Sequence, residues 1–187
     1  MAEILRIAIQ SARGLAAAHE QHLVHRDIKL ANILLPENLE RVMITDFGLA
    51  RAADEASLTR SGVIAGTPQF MSPEQARGEG VGARSDLFSL GSVIYAMCTG
   101  HPAFHAETPY GILHRITDND PRPIRKRNAE ISGWLCNIIN QLHAKDAEKN
   151  DSRPPRTWLT CWQNVWLTCS NLASFARRPG YVGNRHP

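Results

Sequence analysis

The sequence predicts a mainly α-helical fold that carries one small β-hairpin. Three stretches support this. Residues 2–22 place Ile4, Leu5, Ala8, Ala12, Leu15 and Ala16 at helical spacing, with Ala18 and Leu23 closing the stripe. Residues 33–35 and 42–46 are short apolar runs parted by Pro36-Glu37-Asn38, the pattern of two strands joined by a turn. Residues 85–100 are apolar nearly all round, through Leu87, Phe88, Leu90, Val93, Ile94, Tyr95, Met97 and Cys98. A helix with that pattern is buried.

Taken in order, the first helix runs directly into His25-Arg26-Asp27. The hairpin follows, so Asp27 and Asp46 both emerge at ends of small strands, which hold them more firmly than free loops would. Residues 49–70 contain few large apolar side chains and read as a polar segment. The helix over 85–100 has Asp86 near its start and stops at Gly100-His101-Pro102, since glycine suits the left-handed turn that closes a helix. Residues 108–117 and 131–143 read as two further helices. Trp134, Leu135, Ile138, Ile139 and Leu142 form the apolar face of the second, and both serve as scaffold.

The chain has 187 residues and a formal net charge of +3, enough for one domain with a real core. Its longest basic run, Arg125-Lys126-Arg127, reads as a solvated loop rather than a nucleic-acid site. No apolar stretch approaches the ~20 residues of a membrane-spanning helix, and nothing resembles a signal peptide. Cys98, Cys136, Cys161 and Cys169 form no C-x-x-C pair. A zinc site or disulfide framework is therefore not expected, and a reduced, cytoplasmic setting fits. The histidines make no H-E-x-x-H, and His101 and His105 flank a proline loop as surface residues.

The chemistry is concentrated in HRDIKLANILLPENLERVMITDFG, from His25 to Gly48. Asp27, Lys29, Asn32 and Asp46 put two carboxylates, an amine and an amide on tight loops, a set suited to phosphoryl transfer. Read structurally, the two aspartates would be loop caps and Asn32 a turn residue. That reading requires three ordered motifs to arise by chance, because Gly66-Thr67-Pro68-Gln69-Phe70-Met71-Ser72-Pro73-Glu74 follows. Together these motifs resemble the catalytic loop, magnesium loop and activation-segment end of protein kinases. Gly14-Leu15-Ala16-Ala17-Ala18-His19 and Ser72-Pro73-Glu74-Gln75-Ala76 are in the style of bacterial serine/threonine kinases of the eukaryotic-like (Hanks) type.

The resemblance implies ATP-dependent phosphoryl transfer to Ser or Thr of a protein substrate, with ATP and Mg²⁺ as cofactors. In it Asp27 orients the attacking hydroxyl and accepts its proton. Lys29 offsets charge on the transferring phosphate, and Asn32 and Asp46 hold Mg²⁺ against the ATP phosphates. Lys29 also indicates serine/threonine rather than tyrosine specificity. Arg26 would pair with a phosphate on the activation segment, for which Ser57, Thr59 and Ser61 are candidates beside the reading of ordinary polar loop residues. Thr67 would face the substrate and contact Asp27 and Lys29. Asp86 would accept N–H bonds from its own helix terminus and from the catalytic loop. Two positions depart from the family: Leu30 stands where proline is usual, and Ser72 replaces alanine.

The resemblance covers residues 1–149 and implies a C-terminal kinase lobe. The sequence has no G-x-G-x-x-G loop, strand lysine or partner glutamate, so the N-terminal lobe is expected to be missing and the isolated fragment inactive. Apolar surface that normally meets that lobe would then be exposed.

Residues 150–187 contain no lysine or glutamate but hold Trp158, Trp162 and Trp166. One reading is an amphipathic helix with Trp158, Trp162, Val165, Trp166 and Cys169 on one face. The other is a reading-frame slip. Joining the last base of each codon to the first two of the next turns Cys161–Trp162 into leucine and Trp162–Gln163 into alanine. It also turns Asn150–Asp151 into arginine unless it reads as a stop. The hidden frame resembles the family's last helix. On that reading the tail is aberrant and poorly ordered, and Glu74 loses its family arginine partner to Asn150, at a cost of ~3–5 kcal/mol.

Two other functions compete. A non-catalytic lobe could dock a substrate or a partner kinase, although the retained Asp27, Lys29, Asn32 and Asp46 argue against it. An Arg/Trp-rich tail could bind membrane or nucleic acid, but the frame slip accounts for its composition. The expected partners are a Ser/Thr-bearing protein and a kinase dimer mate, with no nucleic acid and no membrane segment.

Overall fold

The first helix, α1 (Ala2–Glu20), buries Ile7, Ala8, Ser11, Ala12 and Leu15 along one face. It ends where His22 adopts φ 57° and the Leu23 N–H reaches back to the Ala18 carbonyl at 2.9 Å. That left-handed reversal turns the chain away from the helix axis. Leu23 is consequently exposed, so it does not close the apolar stripe as its spacing predicts. The structure, a computed structural model, describes residues 1–35, 41–47 and 68–145. The expectations for the activation-segment residues Ser57, Thr59, Ser61 and Thr67 and for the tail lie outside the described residues.

Among the described residues the chain is mainly helical. After α1 come the strands β1 (Ile33–Leu34) and β2 (Met43–Ile44), then helices α2 (Pro73–Arg77), α3 (Ala83–Thr99), α4 (Pro109–Asp118) and α5 (Gly133–Leu142). Short 3₁₀ turns occupy Leu30–Asn32, Pro68–Phe70 and Ile124–Lys126. The strands pair antiparallel, with Ile33 opposite Ile44 and Leu34 opposite Met43. Gln10 of α1 accepts the Val42 N–H at 2.8 Å, which seats β2 on the first helix.

Helix α3 is the axis of the core. Every residue from Ser85 to Tyr95 is buried, because α1, α5 and the turn at Pro68–Phe70 pack around it. Small residues make this possible. At Gly91 a Cβ would lie 2.8 Å from the Leu142 Cβ of α5, closer than two packed carbons allow. Gly100, at φ 71°, closes the helix as expected. Its start differs from expectation, since the Gly82 N–H is taken by the Ser85 hydroxyl at 3.3 Å. Asp86 is spent elsewhere and does not cap its own helix.

The two remaining helices complete the scaffold. Thr108 caps α4 by accepting the Gly111 N–H at 3.1 Å, and Ile112 and Ile116 face inward. Leu135, Ile139 and Leu142 bury the inner face of α5, with Trp134 and Ile138 half-buried at its margin. His143, just past α5, is enclosed by Phe88, Phe104 and Tyr95, and its Nε2 meets the Ser92 hydroxyl at 3.0 Å. Burial pushes its imidazole down to about 3, with the Lys145 ammonium adding to the effect. Cys98 and Cys136 are free thiols. No helix among the described residues is long and apolar enough to cross a membrane.

Candidate active site

The hairpin register brings Asn32 and Asp46 to the same end. One step beyond the Ile33–Ile44 pair, the Thr45 N–H donates to the Asn32 carbonyl at 2.9 Å, so Asp46 is the next residue out on the opposing strand. Asp46 is exposed and sits at φ 64°. A left-handed backbone at a β-carbon-bearing residue is uncommon, and aspartate is among the few side chains that tolerate it. Asn32 is buried, and its Nδ2 donates both to the Asp27 carbonyl at 2.8 Å and to Asp27 Oδ2 at 3.1 Å. Its Oδ1 is the oxygen left over.

Asp27 is where three of the sequence-predicted residues meet. Lys29 Nζ lies 2.7 Å from Asp27 Oδ2, the atom that Asn32 also reaches, while the Asp27 side chain keeps 48% of its exposure. Among the described residues Oδ1 takes no hydrogen bond. One carboxylate oxygen is therefore anchored and the other uncommitted on a half-exposed side chain, which suits a group that must receive a proton from an approaching hydroxyl. Ile28, between Asp27 and Lys29, is buried and roots the loop in the core. Leu30, at the proline position, starts a short 3₁₀ turn without disturbing these contacts.

His25 joins the two loops. It is fully buried. Its Nε2 lies 2.7 Å from the Thr45 carbonyl, and its Nδ1 accepts the Asp27 N–H at 3.2 Å. Those partners select the tautomer with hydrogen on Nε2. The Phe47 ring stands edge-on to His25, with centroids 4.5 Å apart. The loop carrying Asp27 and the loop carrying Asp46 are thus tied through one imidazole.

Asp86 braces the same loop from α3. Its Oδ2 accepts the His25 N–H at 2.8 Å and its Oδ1 the Arg26 N–H at 2.7 Å. Arg26 is held at φ 70°. His19 Nε2 also meets Asp86 Oδ2, at 2.7 Å. The position of Asp86 at its helix start suggests the brace, but nothing in the sequence ties it to His19, which lies 67 residues away in the last turn of α1.

Glu74 accepts a hydrogen bond from the Ser85 hydroxyl at 2.5 Å, a partner that sequence does not suggest. Position 150, set against Glu74 in the sequence reading, lies outside the described residues. Ser72 begins α2 with a reciprocal cap: its hydroxyl accepts the Gln75 N–H at 3.3 Å, and its N–H donates to Gln75 Oε1 at 3.0 Å. Gln75 Nε2 goes further and donates to the Arg26 carbonyl at 2.6 Å.

A model of the protein kinase domain matches residues 1–166. Serine/threonine-protein kinase PknB of Mycobacterium leprae (strain TN) is 38% identical over 147 residues, covering 78% of this chain and 24% of that protein. Its namesake in Mycolicibacterium smegmatis is 37% identical over 146 residues, covering 77% and 23%. Probable serine/threonine-protein kinase CE0033 of Corynebacterium efficiens is 38% identical over 174 residues, covering 92% and 26%. The chain spans about a quarter of the length of these relatives.

Proposed function

This chain belongs to the protein kinase family, and from that premise we propose that it carries the catalytic and magnesium loops of an ATP-dependent protein serine/threonine kinase. The observation that carries the reading is the convergence of Lys29 and Asn32 on one oxygen of Asp27. With Oδ2 so anchored, Asp27 receives the proton of a substrate serine or threonine at Oδ1. Lys29, 2.7 Å from that carboxylate, is placed to offset charge on the phosphoryl group as it moves.

The family uses ATP with Mg²⁺, and the donors present fit that cation. Mg²⁺ is ordinarily held by one or two carboxylates together with phosphate oxygens and water. Asp46 supplies a carboxylate and Asn32 an amide oxygen whose NH₂ is already committed to Asp27. When bound, the ion would neutralise charge on the ATP phosphates. The described residues contain no group of three or more His, Cys, Asp or Glu that would cage a metal without a phosphate.

The described part is read as the C-terminal lobe of the kinase domain. Leu34 and Leu35, at and just past the end of β1, and Met43 of β2 are exposed beside Asn32, as fits a face against which a second lobe packs. The activation-segment roles of Ser57, Thr59, Ser61 and Thr67, the pairing of Arg26 with a phosphate, the aberrant tail after residue 149, a cytoplasmic setting and a kinase dimer partner belong to the same proposal.

The test supplies the chain with a kinase N-terminal lobe and follows incorporation of labelled phosphate from ATP into serine and threonine of a protein acceptor, with Asp27→Asn as control. Removing a positioned base lowers transfer by ~10²–10⁴-fold. Incorporation that persists in the variant belongs to another site and overturns the assignment.

A further inference from the structure

The Gln75 side chain makes two bonds where its place in the helix needs one. In a capping box the third helical residue accepts the N–H of the cap residue, and glutamate serves there as well as glutamine. Gln75 Oε1 makes that bond with Ser72 at 3.0 Å. Its Nε2 donates at 2.6 Å to the carbonyl of Arg26, 49 residues earlier. Only an amide supplies an acceptor and a donor from one side chain of this length. The two partners also fix its orientation, since the flipped amide would set donor against donor and acceptor against acceptor.

The carbonyl it reaches is a sensitive one. Arg26 is held at φ 70°, a conformation that persists only when its surroundings impose it. Its N–H is held by Asp86 at 2.7 Å. The next peptide, Arg26–Asp27, is tied at its N–H by His25 Nδ1 over a longer 3.2 Å and at its carbonyl by Gln75. That peptide sets the direction in which Asp27 leaves the backbone. Ser72 is fully buried, so Gln75 is anchored in the segment end packed on α3.

We infer that Gln75 is a positioning residue, which ties the Ser72–Arg77 segment end to the Arg26–Asp27 peptide and so makes the orientation of Asp27 depend on the docking of that segment. The inference rests on the reading of Asp27 as the general base, but the tie itself is measurable without activity.

The experiment is amide hydrogen exchange by NMR on the full chain, with Gln75→Glu and Ser72→Ala. Gln75→Glu keeps the acceptor for Ser72 and removes the donor to Arg26. Exchange at the Asp27 amide is expected to rise roughly five- to tenfold, the factor of one hydrogen bond of ordinary net strength. Ser72→Ala, which weakens the cap alone, leaves Asp27 within about twofold of the unsubstituted chain. An unchanged rate in Gln75→Glu overturns the inference, as does equal acceleration by Ser72→Ala, which would make Gln75 a helix cap only. If Gln75→Glu loses its helical circular dichroism, Gln75→Met decides in its place: acceleration at Asp27 supports the tie and the native rate overturns it. In the transfer assay Gln75→Glu should lower kcat while KM for ATP stays within about twofold. Absence of transfer in the unsubstituted chain once an N-terminal kinase lobe is supplied counts against the kinase reading, whereas exchange alone decides the role of Gln75.

Discussion

Asp86 takes the backbone N–H of Arg26 at 2.7 Å across a sequence separation of 60 residues. The bond fastens the loop bearing Asp27 to α3, the most enclosed helix among the described residues, and the second carboxylate oxygen does the same for His25. Charge-assisted bonds of this kind are stronger than neutral ones, and losing one partner leaves buried donors unmet. Asp86→Asn retains one acceptor oxygen but turns an NH₂ group toward a backbone N–H. It should destabilise the protein by about 2–4 kcal/mol, read as a lower urea midpoint. A native midpoint would mean that the loop is held by other contacts.

His143 should make stability depend on pH. Its imidazole is pushed from 6.5 down to about 3, by burial first and by Lys145 second. The unfolded chain takes up a proton near 6.5 while the folded one resists until about 3. Stability from this group is therefore complete above the unfolded value and is lost as pH falls toward the folded one. Between pH 7 and pH 5 the loss is about 2 kcal/mol. His143→Gln keeps a polar partner for Ser92 without a titrating ring. Its stability should fall by correspondingly less over the same interval, which denaturant melts at the two pH values check.

Gly91→Ala tests the contact between α3 and α5. Alanine favours a helix interior over glycine by about 1 kcal/mol. Here its Cβ would sit 2.8 Å from the Leu142 Cβ and 3.3 Å from the His143 ring. A Cβ cannot rotate away, so one helix must shift. Overpacking of this kind costs about 1–3 kcal/mol, and the net change should be destabilising. A higher melting temperature would show that α5 moves without strain.

Asp46→Gly should separate stability from ligand binding. Glycine relieves the left-handed backbone at φ 64° but frees the unfolded chain, so stability should stay within about 1 kcal/mol of the parent. The carboxylate proposed for Mg²⁺ is gone. A rise in melting temperature with MgATP, expected from the proposed binding to the native state, should disappear. An undiminished rise would remove Asp46 from the metal site.

The corrections share a cause. Spacing placed Leu23 on the stripe of α1, but the reversal at His22 ended the helix before it. Position near a helix start suggested that Asp86 caps α3, but Ser85 does so and frees Asp86 for the loop. Each expectation treated a residue by its local neighbours, and each outcome was set by a turn or by a distant partner.

The sequence by itself determined the four longer helices, the hairpin and the residues proposed to carry the chemistry, but not the short helix α2. Those depend on apolar period, turn residues and motif order, all of which act over a few positions. His25, Asp27, Asn32 and Asp46 were legible because they lie within one short stretch. Only the tertiary structure decided that His19 meets Asp86 across 67 residues, that Gln75 reaches the Arg26 carbonyl across 49, and that Ser85 serves Glu74. A polar side chain can satisfy any donor or acceptor brought within about 3 Å. Which one arrives is settled by the packing of α1, α2 and α3, not by the residues on either side of it.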